Sequence, residues 1–168
     1  MIEALRALFT DPGLPSLHPL VVHFPIAFVA VAPFLDLACR VFRDRVWLDR
    51  AASAMYLTGT LGAGAAYLSG GRAAKALASV SPTAESVLAD HEAQAVLTLI
   101  VLAAVTLLRV TVSWLARDDR RIKIGIFRLL AIPAAVAALA MLALTADLGG
   151  NLVYRHGVGV EISQSSER

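Results

Sequence analysis

Four long apolar runs divide the chain, 20–39, 51–68, 93–114 and 129–148, each bounded by polar or charged residues. Each is close to the roughly 20 residues that cross a hydrocarbon core of about 30 Å as a helix. A helix satisfies its own backbone groups, so four such runs need no other partner in lipid. The pattern predicts an all-α membrane protein, a four-transmembrane-helix up-down bundle. Little chain is left for anything else, so 1–168 reads as a single domain.

Within the runs, the polar and special residues are few and placed. Pro19 suits the first turn of the first run. Pro25 lies inside it, removes one backbone donor and loosens the Val21 carbonyl, which opens a turn beside His23. Pro33 adds a second kink position. The second run carries Gly59, Gly62 and Gly64, small residues through which helix backbones approach closely. The same glycines would also leave room for a flat cofactor. Ser81-Pro82 is a helix-start signal, with Ser81 as cap and Pro82 in the first position. After it, 84–88 is either a short surface helix or the start of the third span. His91, Gln94 and Thr98 fall at i, i+3 and i+7, a polar stripe that faces a bundle interior or cavity. If helix persists through Gly149-Gly150, Asp147, Asn151 and Tyr154 share a face. If the glycine pair breaks it, Tyr154-Arg155-His156 folds back over the bundle mouth.

Composition agrees with the pattern. The chain is 58% hydrophobic, above the 45–50% or so of soluble domains. Residues 1–10 are short and mixed in charge, unlike a signal peptide. Ile2, Leu5 and Leu8 recur there at helical spacing, as in a small helix lying on the interface or a frayed terminus.

Charge sets orientation. The loop with Arg40, Arg43, Arg45 and Arg50 and the flank with Arg117, Arg120, Arg121, Lys123 and Arg128 hold nine basic residues, against Arg6, Arg72, Lys75, Arg155 and Arg168 on the other side. The two basic loops are therefore cytoplasmic, and both termini lie outside. In a bacterium this is a multi-pass protein of the inner (plasma) membrane. The net charge of +2 reflects that asymmetry and does not point to nucleic acid. Arg109 sits in the third run near its basic end, where it can snorkel. Asp36 is within reach of Arg40 at i+4, the spacing of an ordinary ion pair. Cys39 is the only cysteine and reads as packing. No phosphate loop, nucleophile elbow, zincin motif or CxxCH haem attachment site is present, so electron transfer or binding suits the chain better than hydrolysis or group transfer.

The candidate chemistry is histidine. The chain has four, His18, His23, His91 and His156. His18 and His23 open the first run, His91 opens the third and His156 follows the fourth. An up-down bundle puts all of them at one end. Imidazole is the commonest metal ligand, a frequent haem ligand, and a group that titrates near neutrality.

The opening His18-Pro19-Leu20-Val21-Val22-His23-Phe24-Pro25 and the ending Gly149-Gly150-Asn151-Leu152-Val153-Tyr154-Arg155-His156-Gly157-Val158-Gly159-Val160 resemble a bacterial four-helix membrane family, domain of unknown function 2231. His91 meets the family's third element, a histidine opening the third span. The resemblance covers nearly the whole chain. Family members are similar in layout to small b-type cytochrome membrane domains, and relatives occur joined to Rieske or cytochrome c modules. The resemblance implies a redox setting, and with it a partner protein at the outer face.

Three readings follow. In the first, the chain binds haem b and transfers electrons, with His23 and His91 as axial ligands and Tyr154 and Arg155 meeting the propionates. In the second, His18, His23, His91 and His156 hold a non-haem metal such as zinc, copper or iron, with Asp90, Glu92 or Asp147 nearby. In the third, the chain is a structural or accessory membrane subunit without a cofactor, its histidines serving as interfacial polar groups.

Overall fold

The computed structural model describes residues 17–42, 45–77, 80–115 and 120–160. The expected interfacial helix at 1–10 falls outside them. The described residues form five helices: α1 (His18–Val21), α2 (His23–Val41), α3 (Val46–Lys75), α4 (Pro82–Leu115) and α5 (Arg120–Tyr154). No strand occurs among the described residues.

Local chemistry explains the boundaries. The α1 and α2 segments are one helical run interrupted at Val22, whose backbone stays right-handed. Pro25 has no amide to offer the Val21 carbonyl, and the interruption falls at that turn. Ser81 caps α4 as its sequence suggests: its hydroxyl accepts from the Ala84 amide at 3.2 Å, and Pro82 takes the first helical position. The helix that starts there is continuous into the third apolar run, so 84–88 is its first turn. Gly149 and Gly150 do not break α5 either. The helix runs to Tyr154. It closes where the Gly157 amide reaches the Val153 carbonyl at 3.1 Å and the Val158 amide the Leu152 carbonyl at 3.0 Å. Gly157 has φ +63° there, the left-handed backbone that glycine adopts without strain.

Short connections make sequence neighbours antiparallel. Two hairpins result, α1–α2 with α3, and α4 with α5. They join chiefly along α3 and α4, and α2 touches α5 more lightly. Inside the first hairpin, the α3 glycines are the contact. A Cβ on Gly59 would lie 2.7 Å from Val29 Cγ2, and one on Gly62 would lie 3.1 Å from Pro25 Cδ. Gly64 faces open space. The tight-packing reading therefore holds for Gly59 and Gly62, and the buried Pro25 ring is what Gly62 makes room for. At mid-height Val29, Leu102 and Ala138, all fully buried, form an apolar layer across three helices.

Among the described residues, three helical runs are long and apolar enough to cross a membrane: His18–Cys39, Pro82–Trp114 and Ile132–Tyr154. The fourth long helix, α3, spans 30 residues but is less apolar. It carries Ser53, Thr58, Thr60 and several glycines, with Asp49, Arg50, Arg72 and Lys75 at its ends.

Candidate functional site

The helical repeat decides which residues of the first run face inward. Pro25, Val29, Ala32 and Asp36 are its buried members, spaced by four, three and four residues on one face. His18 lies seven residues before Pro25 and falls on that face. His23 lies five residues after His18, about 140° away at roughly 100° per residue, and is exposed.

His18 is accordingly seated in the bundle end. Its Nδ1 lies 3.0 Å from the Ala66 carbonyl and 3.1 Å from Ser69 Oγ of α3. Donation to Ala66 makes Nε2 the basic nitrogen, the arrangement that commonly orients ligating histidines. The ring lies on Gly70, where a Cβ would come within 3.0 Å of Cε1. His91 is seated the same way in the other hairpin: its ring lies on Gly149, where a Cβ would come within 3.2 Å of Cε1. His91 Nδ1 is buried and has no hydrogen-bond partner; the Thr145 carbonyl lies beside the ring without meeting Nδ1 in bonding geometry. The two rings are close enough for the charge of one to act on the other. One imidazole from each hairpin therefore lies at this end, each on a glycine of the neighbouring helix.

The other expected site residues stand around this pair. His23 Nδ1 is 2.6 Å from the Pro19 carbonyl of its own run; the ring is not part of the inward pair. His156 is half-buried just past the end of α5, and Tyr154 and Arg155 are exposed there. Asp90, Glu92 and Asp147 are exposed. Among the described residues, no three His, Cys, Asp or Glu side chains converge as metal ligands.

The polar stripe that begins at His91 continues down the inner side of α4. Gln94 Nε2 approaches Met141 Sδ at 3.3 Å. The Thr98 hydroxyl is 2.7 Å from that of Thr145, and both reach the Met141 carbonyl. Below the apolar layer, Thr106 donates to the Tyr56 carbonyl at 3.2 Å and lies 2.7 Å from the Thr60 hydroxyl. The stripe ends in an ion network. Arg109 Nε lies 2.9 Å from Asp36 Oδ1, and its Nη2 lies 3.0 Å from Asp49 Oδ1. Nη1 bonds Ser113 Oγ. Arg109 is 2% exposed and Asp36 5%.

That network corrects one expectation and adds a partner to a second residue. Arg109 does not snorkel to the surface. It turns inward because two carboxylates from the facing hairpin await it, and burying a charge is tolerable only with such partners. Asp36 bonds Arg109, 73 residues away in sequence; its expected i+4 pair with Arg40 falls on a side chain outside the described residues. Sequence reasoning missed the network, although a signal was present. Thr106 lies two four-residue steps beyond Thr98, and Arg109 and Ser113 follow at three and four, so they fall on the face that His91, Gln94 and Thr98 begin.

The model of a family described as predicted membrane protein (DUF2231) matches residues 14–162. No curated protein matches the chain, and no solved structure does. The chain belongs to the DUF2231 family, and it is a membrane protein.

Proposed function

We propose that this chain is a haem b-binding electron-transfer protein of a bacterial inner membrane, with His91 and His18 as the axial pair. The observation that carries the reading is the His91 ring: a buried nitrogen without a partner, on a seat a single Cβ would fill, at the bundle end where the other hairpin seats His18. A buried polar atom left unpaired costs about 1–3 kcal/mol, and a ligand would relieve it. Donor count favours haem over a bare ion. Haem brings four nitrogens of its own and asks one or two imidazoles of the protein, whereas a bare zinc site takes three or four protein ligands. Two seated imidazoles lie at this end, and among the described residues no three His, Cys, Asp or Glu side chains form a metal-ligand group. The haem supplies a one-electron couple. His91 of one hairpin and His18 of the other would hold the haem at this end of the bundle. Exposed Tyr154 and Arg155 at the same end meet the propionates, and a redox partner docks at that outer face.

In this reading α3 is the fourth span. Trp47 and Trp114 are exposed at the end of the bundle remote from the histidines. Tyr67 is exposed 20 residues along α3 from Trp47, about 30 Å at the helical rise. Trp and Tyr mark membrane interfaces, and that separation matches a hydrocarbon core of about 30 Å.

The test is an absorbance spectrum of protein purified in detergent, before and after haem reconstitution. A Soret band with sharp reduced α and β bands is expected. His91→Ala and His18→Ala should abolish or strongly shift it, and His23→Ala should change it little. Gly149→Val, which pushes the His91 ring aside, should also shift it. A protein that takes up no haem overturns the reading. Loss of the band in His23→Ala, with His18→Ala unaffected, moves the second ligand to His23.

A further inference from the structure

The two hairpins repeat each other. Residues of the α1–α2 run match residues of α4 at an interval of 73, and residues of α3 match residues of α5 at an interval of 79. His18 answers to His91, Val29 to Leu102 and Asp36 to Arg109. The contacts repeat as well. Val29 packs on Gly59, and their counterparts Leu102 and Ala138 are fully buried in the same core layer. Pro25 lies on Gly62, and Thr98 donates to the Met141 carbonyl. His18 lies on Gly70, and His91 on Gly149. The Ala66 carbonyl meets the His18 ring, and the Thr145 carbonyl lies beside the His91 ring. His23 has no histidine counterpart; Val96 stands in that place.

Beside the imidazoles the two halves differ. Ser69 Oγ of α3 lies 3.1 Å from His18 Nδ1 and donates to the Ala66 carbonyl at 3.0 Å. With its proton engaged there, the hydroxyl turns lone pairs to Nδ1, and the carbonyl can only accept. Both neighbours therefore call for a proton on Nδ1, which leaves Nε2 as the basic nitrogen. The matching position on α5 is Leu148, whose side chain offers no hydrogen bond, and His91 Nδ1 has no partner. We propose that Ser69 is a positioning residue: with the Ala66 carbonyl it fixes the ring and tautomer of His18, while His91, with Leu148 in that place, is the ring without such a hold. The service of the fixed ring as an iron ligand rests on the haem reading above.

The haem-free full chain, its histidines labelled with nitrogen-15, is held in detergent at about pH 8.5, above the ordinary imidazole value of about 6.5. Nitrogen shifts then give the tautomers of each ring, and His18→Gln and His91→Gln assign the signals. In the parent, the Nδ1-protonated form should predominate for His18, and His91 should show both tautomers. Ser69→Ala should raise the minor tautomer of His18 about threefold, a ratio within the net strength of one hydrogen bond; Ser69→Thr, which keeps the hydroxyl, should not. Leu148→Ser should shift His91 toward the Nδ1-protonated form by a similar factor, whereas Ala146→Ser at an exposed position should not. Melting temperatures check that each variant folds. An unchanged His18 in Ser69→Ala overturns the proposal, as does an equal loss in Ser69→Thr or an unchanged His91 in Leu148→Ser. Haem titrated into the same proteins is the second arm. Ser69→Ala should bind it about tenfold more weakly, a loss common for groups that orient a ligating histidine, and Ser69→Thr as tightly as the parent. The expected tautomers in a chain that takes up no haem support the hold on His18 and overturn the haem reading alone.

Discussion

Replacing Arg109 with alanine tests how the two hairpins are held together at the end remote from the histidines. The arginine belongs to α4, and both of its carboxylate partners belong to the other hairpin. Removing it leaves Asp36, 5% exposed, as a buried carboxylate without its guanidinium, and removes the Ser113 contact as well. Breaking a buried ion pair by deleting one partner costs about 3–5 kcal/mol. For a chain of this size each kcal/mol moves the melting temperature by about 2–4 °C, so Arg109→Ala should melt about 6–20 °C below the parent. A snorkelling arginine in an exposed pair would cost at most about 1 kcal/mol. The double variant Arg109→Met with Asp36→Leu discriminates further. It removes both buried charges, and Asp49, whose side chain is 25% exposed, can turn to the interface. Its melting temperature should recover most of the loss, because an apolar pair of similar volume is often as stable as the ion pair it replaces. Thermal unfolding in detergent, followed by circular dichroism, reads both. A loss under 2 °C for Arg109→Ala, or a double variant that melts at the sum of the two single losses, would refute the clamp.

Gly62→Leu should lower the melting temperature by several degrees, because its Cβ alone would press on Pro25 Cδ at 3.1 Å and Phe24 Cβ at 3.3 Å; Gly64→Leu, which meets open space, should not, and equal effects would show that the α2–α3 contact lies elsewhere. A reporter fused after Arg168 should be active only if it works outside the cytoplasm, given nine basic residues in the two inner loops against five on the other side; a fusion active only inside reverses the orientation and moves the histidine end to the cytoplasm.

The parts of this molecule that were legible in the sequence are those fixed by local chemistry. The helical runs follow from apolar length, the start of α4 from Ser81-Pro82, and the opened turn before His23 from Pro25. The inward stripe of α4 follows from the spacing of His91, Gln94 and Thr98. The parts that were not legible depend on which face of one helix meets which face of another. Asp36 and Arg109 are 73 residues apart, and their meeting requires the rotation of α2 against α3, which Gly59 and Gly62 set by receiving Val29 and Pro25. The same rotation decides between the first two histidines. They stand about 140° apart around the helix, so one bundle cannot turn both inward. Asp36 is 18 residues after His18, which is about five whole turns at 3.6 residues each. A buried carboxylate therefore places His18, and not His23, on the inward face. The lone acid of the first apolar run, read as a guide to rotation, points to the histidine that turns into the bundle end. Its meaning emerged only once Arg109 was known to be waiting for it on α4.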